Sequence, residues 1–255
     1  MPPSEKTPKK MISIILLVWK EPEKCKRCID RILKLTTVPF ELIIIDNNSE
    51  KDIKDYIYSI KDDRVRIITH EKNEGIAKSY NIGARESKGE YLAYVNSDYY
   101  LTDDWDVNLV KCLNETKAGM VGPCCHATGN IDQYCPNQFQ MPLKYIETDY
   151  ITNLMFLRKS VLEEVGMFDE AYNPYTYDDM DLAEAIKKAG YKIFVDGFTW
   201  HWHDYNMGKE NEDFVKVRDR NKEYFRNKWG DEIADKYDNK YKESEEKFKL
   251  KNGQI

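Results

Sequence analysis

The stretch that decides the fold is Tyr91-Leu-Ala-Tyr-Val-Asn-Ser-Asp98-Tyr-Tyr-Leu-Thr-Asp-Asp-Trp105. It opens as a short apolar run of strand-forming residues and breaks off at Asn96-Ser97-Asp98. Such a run, bounded by polar residues, reads as a strand buried on both faces, as parallel sheets require. Open α/β sheets carry their ligand crevice at the carboxyl ends of these strands, which is where Asp98 stands. Its carboxylate is also a hard oxygen donor of the kind that Mg²⁺ or Mn²⁺ selects.

Working back from that strand, the chain alternates. Ile12-Ser-Ile-Ile-Leu-Leu-Val18 is a near-continuous apolar run of strand length. Pro22 sits where a helix can begin, and Cys25, Cys28, Ile29, Ile32 and Leu33 repeat at helical spacing. Phe40-Glu-Leu-Ile-Ile-Ile45 is a second strand, so a βαβ unit with a right-handed crossover is expected. It ends in Asp46-Asn47-Asn48-Ser49, which reads equally as a nucleotide contact or as an Asx turn before a helix. Val65 to Thr69 is a third strand, followed by a helix over 76–85 with small residues along one side. Lys78, on its first turn, suits either an anion or ordinary packing.

Beyond Trp105 the pattern predicts a helix over 106–116 and a strand over 118–123. Residues 124–150 then read as a long irregular loop, of the sort that is functional when it occurs inside a compact domain. Further elements are a strand over 151–157, a helix carrying Leu182, Ala185, Ile186 and Ala189, and a strand over 191–195. That last strand delivers Trp200-His201-Trp202-His203. Residues 1–10 read as a disordered lead-in. From 208 onward charges of both signs alternate, yet Phe225, Trp229, Ile233, Tyr237 and Tyr241 keep one apolar stripe. The tail from Glu243 to Ile255 lacks the stripe and is expected to fray.

Composition narrows the function. In 255 residues, 41% hydrophobic content supplies a sizeable core, and a net charge of −6 speaks against a nucleic-acid binder. The longest apolar run falls well short of the ~20 residues that span a bilayer, so no integral membrane segment and a cytoplasmic location are expected. The six cysteines, including Cys25 and Cys28 three apart on a helix, read as free packing thiols. No G-x-G-x-x-G follows the first strand and no G-x-x-x-x-G-K-[ST] occurs, which counts against dinucleotide cofactors and P-loop chemistry.

Four motifs occur in order: Ile12-Ser13-Ile-Ile, Asp46-Asn47-Asn48-Ser49, Asn73-x-Gly75 with Asn81-x-Gly83, and Gly89-Glu-Tyr-Leu-Ala-Tyr-Val-Asn-Ser-Asp98. Each is weak alone, but together they resemble the nucleotide-binding half of family 2 glycosyltransferases of the GT-A fold. The resemblance implies an α/β, Rossmann-like single domain with a mostly parallel central sheet and a C-terminal helical appendage. On this chain the domain would run over 11–207, with its nucleotide-binding half at 11–105 and its acceptor and catalytic half at 106–207. The charged appendage would be 208–255.

The activity implied is inverting, metal-dependent transfer of a sugar from a nucleotide-diphosphate donor, UDP-sugars favoured, to a hydroxyl of a glycan or other acceptor. Donor contacts then fall on Val18, Trp19, Glu21, Asp46, Asn48, Asn73, Lys78, Asn96, Ser97 and Asp98. Mn²⁺ or Mg²⁺ would sit on Asp98 with one histidine, His203 or His201, and an imidazole favours Mn²⁺. The family's D-x-D motif begins here with Asn96, which adds no charge and weakens the expected metal site. Asp178-Asp179-x-Asp181-Leu182 matches the family's E-D-x-D-L segment, making Asp179 the general base with Asp178, Asp181 and Trp202 in support. Two other readings stand beside this one. A sugar nucleotidyltransferase would want a Gly-rich basic loop where Val18-Trp-Lys-Glu-Pro22 stands, and a binding module without turnover is favoured only by Asn96.

Overall fold

A computed structural model of the chain describes residues 10–204 and 212–251. Its first half alternates strictly: β1 (Ile12–Val18), α1 (Pro22–Leu35), β2 (Phe40–Asp46), α2 (Lys51–Ser59), β3 (Val65–Thr69), α3 (Ile76–Glu86) and β4 (Tyr91–Asn96). Next come β5 (Tyr99–Tyr100), α4 (Trp105–Thr116), β6 (Met120–Cys125), β7 (Tyr145–Thr148), β8 (Met155–Arg158), α5 (Lys159–Glu164), α6 (Asp178–Lys188) and β9 (Ile193–His203). Two long helices follow, α7 (Glu212–Trp229) and α8 (Asp231–Lys251).

Among the described residues nine strands form one sheet in the order β3-β2-β1-β4-β8-β6-β9-β5, with β7 on β9. Parallel pairing runs through β3-β2-β1-β4 and recurs between β6 and β9. β8 enters antiparallel between β4 and β6, and β5 and β7 also pair antiparallel with β9. The sheet is therefore mixed outside its first four strands. From β1 the chain winds outward to β3, then returns to lay β4 on β1's other side. The carboxyl ends of β1 and β4 thus form the switch point at which α/β sheets bind ligands.

Alternation along β1 explains the two layers. Ile12, Ile14, Leu16 and Val18 pack with Cys25, Cys28 and Ile29 of α1 and Trp105 and Leu109 of α4. Ile15 points the other way, into a core shared with α3, α5 and α6. The small residues of α3 do bring it close, because a Cβ on Gly83 would lie 2.5 Å from Ile15 Cγ2. All six cysteines are free and buried.

Several expectations need correcting. The stretch 124–150 is more ordered than its composition suggests, with 3₁₀ turns at Ile131–Gln133 and Gln138–Gln140 and the strand β7. Its polar residues serve the backbone: Gln133 Nε2 donates to Pro123 O at 3.0 Å, while its Oε1 accepts from Thr152 N at 2.8 Å. The last strand is longer than expected and carries His201 and His203 within it, on one face. The strand expected from Ile151 starts only at Met155. The tail does not fray at Glu243, since α8 continues to Lys251 with Ser244 and Phe248 buried. The seventh position after Tyr241 restores an apolar contact, and serine is small enough to fill the gap between.

The C-terminal stripe is buried in cis, with Phe225, Ala234 and Tyr237 joining the core that holds α6. Most of the lead-in, residues 1–9, and the expected boundary between 207 and 208 lie outside the described residues. No helix among the described residues is long and apolar enough to cross a membrane.

Candidate active site

Two adjoining cavities open at the carboxyl ends of β1 and β4. The first, about 270 Å³, is lined by Trp19, Glu21, Asn47, Asn73, Ser97 and Asp98, and closed by Pro174 and Tyr175. The second, about 330 Å³, is lined by Tyr80, Tyr99, Asn153, Asp178, Asp179 and His203. Asn96 and Asp98 line both. The carboxylate that ends the deciding stretch therefore stands at the junction of the two.

In the first cavity, Trp19 is 42% exposed and presents its ring beside the Lys20 ammonium, 4.1 Å from the ring centre. Glu21 pairs with Lys24 at 2.9 Å. Asn73 Oδ1 accepts from Asn47 Nδ2 at 2.8 Å and from Gly75 N at 2.9 Å, fixing the loop that enters α3. Asp46 is fully buried and lines neither cavity. Its Oδ1 accepts from Ser49 N at 2.7 Å and from the Ser49 hydroxyl, the Asx-turn arrangement. Its Oδ2 is buried with no hydrogen-bond partner among the described residues. Val18 faces the core, Asn48 lies on the surface near Lys54, and Lys78 pairs with Glu74 at 2.8 Å, away from both cavities.

In the second cavity, His203 Nε2 lies 3.3 Å from Asp98 Oδ2, while its Nδ1 is 2.9 Å from Ala127 O. Burial pulls His203 down, but the Asp98 charge and hydrogen bond, with Cys125, outweigh it and raise the imidazole to about 10. Burial in turn pushes Asp98 up, and His203 more than offsets this, leaving the carboxyl below its ordinary value. The two therefore stand as an imidazolium–carboxylate ion pair, and His203 would have to give up the Nε2 proton before it could hold a cation. His201, two residues earlier, is buried beside Cys125 and Tyr99 and lines neither cavity. Trp202 is 44% exposed and stacks on His126 at 3.8 Å, outside both cavities.

One oxygen and one nitrogen donor suit Mn²⁺ better than Mg²⁺, and diphosphate oxygens and water would have to supply the other positions. Among the described residues no group of three or more His, Cys, Asp or Glu is arranged for a metal. Asn96 does not compensate, because its amide is engaged by two tyrosines. Tyr80 OH donates to Oδ1 at 2.6 Å, and Nδ2 donates to Tyr99 OH at 3.0 Å.

Opposite Asp98, the first turn of α6 presents two adjacent carboxylates. Asp178 is buried, and burial followed by the charge of Asp179 raises its affinity for a proton. Burial likewise raises Asp179, although its Oδ1 accepts from Met180 N at 2.9 Å. Both titrate above the ordinary aspartate range, which is what a base working near neutral pH requires. Asp181 turns away from the cavity and accepts from Tyr172 OH at 3.1 Å, Trp229 Nε1 at 2.7 Å and Lys228 Nζ at 3.0 Å. These contacts tie α7 to the turn that carries Asp179.

A third cavity, about 360 Å³, lies beyond Asp179 between α6, α7 and α8. It shares Asp179, Phe214 and Tyr241 with the second and adds Arg218, Lys222 and Lys242. Tyr80, Tyr99, Asn153, Phe214 and Tyr241 escaped the sequence reading. Tyr241 was visible only as one member of an apolar stripe, and nothing local to Asn153 marks it.

A model of the family described as "Glycosyl transferase family 2" matches residues 13–166. Glycosyltransferase AglE of Haloferax volcanii is 24% identical over 202 residues, covering 71% of this chain and 63% of that protein. Glycosyltransferase GlyG of Streptococcus pneumoniae is 27% identical over 113 residues, 44% of this chain and 38% of that one. The chain thus spans less than two thirds of the length of these relatives. A crystal structure of GalNAc-T7 with UDP, GalNAc and Mn²⁺ superposes with a TM-score of 0.67 at 15% identity, over 82% of this chain and 47% of that one. That likeness shows the GT-A fold.

Proposed function

The chain belongs to glycosyl transferase family 2, and from that premise we propose that it moves a sugar from a UDP-sugar to an acceptor hydroxyl with inversion, assisted by Mn²⁺ or Mg²⁺. The observation that carries the reading is the facing of Asp98 with His203 and of Asp178 with Asp179 across one cavity of about 330 Å³. The donor nucleotide occupies the adjoining cavity, its base against Trp19 and its diphosphate toward Ser97 and Asp98. Asp98 and His203 would hold a divalent cation, which when bound would supply charge neutralisation for the departing diphosphate. The GalNAc-T7 structure, a complex with UDP, GalNAc and Mn²⁺, supports this choice of donor and ion.

Asp179 removes the proton from the acceptor hydroxyl. The freed oxygen attacks the anomeric carbon as the bond to the diphosphate breaks, and attack from the opposite face inverts the configuration. The third cavity opens onto Asp179 and offers the acceptor its seat. Aromatic Tyr241 and Phe214 line it with charges of both signs, as a polyhydroxylated acceptor would use. The expected domain division at about residue 207 is retained as a proposal, with α7 and α8 completing the acceptor wall.

The test is donor hydrolysis. The full chain incubated with a panel of nucleotide sugars and Mn²⁺ is expected to release UDP slowly from a UDP-sugar, and faster once an acceptor is present. Pyrophosphate exchange instead of UDP release would contradict the reading and point to a nucleotidyltransferase. Binding without turnover in the presence of every acceptor tried would contradict it too.

A further inference from the structure

We propose that the last turns of α8 are a positioning device for His203, acting through the backbone carbonyl of Ala127, and that this clamp sets how tightly the chain holds a divalent cation. The inference rests on His203 being a cation ligand, as proposed above.

His203 points Nε2 at Asp98 and Nδ1 at Ala127 O, 2.9 Å away. A ligating histidine depends on the partner of its other ring nitrogen, which sets both tautomer and ring angle. Here that partner is the carbonyl of a segment with no helix or strand of its own, between β6 and the 3₁₀ turn at Ile131–Gln133. Something else must hold it still. The same carbonyl accepts from Asn153 Nδ2 and the Cys125 thiol, each at 3.2 Å, but these bonds fix only its direction.

α8 supplies the grip from outside. Tyr241, Ser244 and Phe248 fall three and four residues apart and share one face of the helix. Phe248 packs on the fully buried Ala127 methyl, with Tyr241 against the same pair. Ser244 is fully buried, and its hydroxyl donates to Thr128 O at 2.5 Å. Tyr241 also closes on Gly129, where an added Cβ would come within 3.2 Å of its ring. Three successive backbone positions, 127 to 129, are thus each held by one residue of a single helix face. Removing that face lets the 127–129 segment shift outward with its carbonyl, and His203 follows it.

The experiment titrates Mn²⁺ into the full chain and follows loss of the free-ion EPR signal. The wild type is expected to bind and Asp98→Ala to lose binding. Phe248→Ala and Ser244→Ala should bind roughly tenfold or more weakly, the usual effect of losing an outer-shell partner. Phe248→Leu, which refills the space, should recover affinity to within about threefold, and Glu246→Ala, on the exposed face, should match the wild type. Histidine NMR reads the clamp without metal: the His203 Nδ1 proton, hydrogen-bonded in the wild type, should exchange faster in Phe248→Ala, with circular dichroism confirming that Ser244→Ala remains folded. Wild-type affinity in both α8 variants with an unmoved Nδ1 signal overturns the clamp. Failure of the wild type to take up Mn²⁺, or undiminished uptake by Asp98→Ala, overturns the cation reading beneath it and the clamp's stated role together.

Discussion

The two acidic sites that face the central cavity are made of the same residue and behave oppositely. Asp98 ends the β4 stretch beside an imidazole, and that partner holds its carboxyl low. Asp178 and Asp179 start α6 beside each other, and burial pushes both up. A helix N-terminus ordinarily favours a carboxylate's charge, so desolvation here outweighs the dipole. Under the proposed function, the first stays charged to hold a cation and the second takes a proton. Carboxylates driven apart in this way mark a division of labour between charge stabilisation and acid–base work.

The contrast can be broken first on its charged side. Asp98→Ala should abolish metal-dependent UDP binding measured by calorimetry, and a normal Mn²⁺ response in that variant would refute the placement of the cation. It can be sharpened by Asn96→Asp, which restores the family's first carboxylate. Tyr80 OH already donates at this position, and the Tyr99 hydroxyl, which accepts from Asn96 and donates to Asn153 Oδ1 at 3.4 Å, can turn to donate to the new side chain. Mn²⁺ affinity should rise about tenfold, or ~1.4 kcal/mol.

The proton-taking side can be broken through stability. A carboxyl raised in the folded state is tolerated while protonated and costs stability as pH climbs through its raised value. Asp178→Asn escapes that cost, so it should be more stable than the wild type by roughly 1–3 kcal/mol at pH 8. The advantage should vanish at acidic pH, where both forms are neutral. Chemical denaturation at the two pH values checks this, and a gain independent of pH would contradict the stated cause.

How much of this was legible in the sequence differs between the same two regions. The β1–β4 half was readable because buried parallel strands are near-continuous apolar runs and the motif residues follow them directly. Asp98, Asn96, Ser97, Asn73 and Trp19 all line the cavities at that edge. Lys78, Asn48 and Val18 do not, because helical phase and side-chain direction take them elsewhere, which spacing from a strand end cannot reveal. Asp46 divides, with one oxygen in the Asx turn and the other buried and unpartnered.

Around Asp179 the sequence spoke less clearly. Acidic residues in the first turn of α6 are ordinary for a helix start, and the burial of Asp178 comes from packing that the local sequence does not display. The wall opposite comes from residues 127–129 and 152–153 and from α8, brought together by contacts spanning about a hundred residues, such as Ser244 on Thr128. Such long-range packing leaves no local pattern. The expected fraying after Glu243 failed for that reason, since Ser244 and Phe248 are informative only once the segment they grip is known.

The central claim is that Asp179 serves the acceptor's proton and not the donor's charge. It is tested most directly by measuring Mn²⁺-dependent UDP affinity and turnover side by side for Asp179→Asn. The account predicts UDP affinity within about twofold of wild type with turnover lower by on the order of 10²–10⁴. Turnover at the wild-type rate, or a loss of UDP affinity that matches the loss of rate, would contradict it.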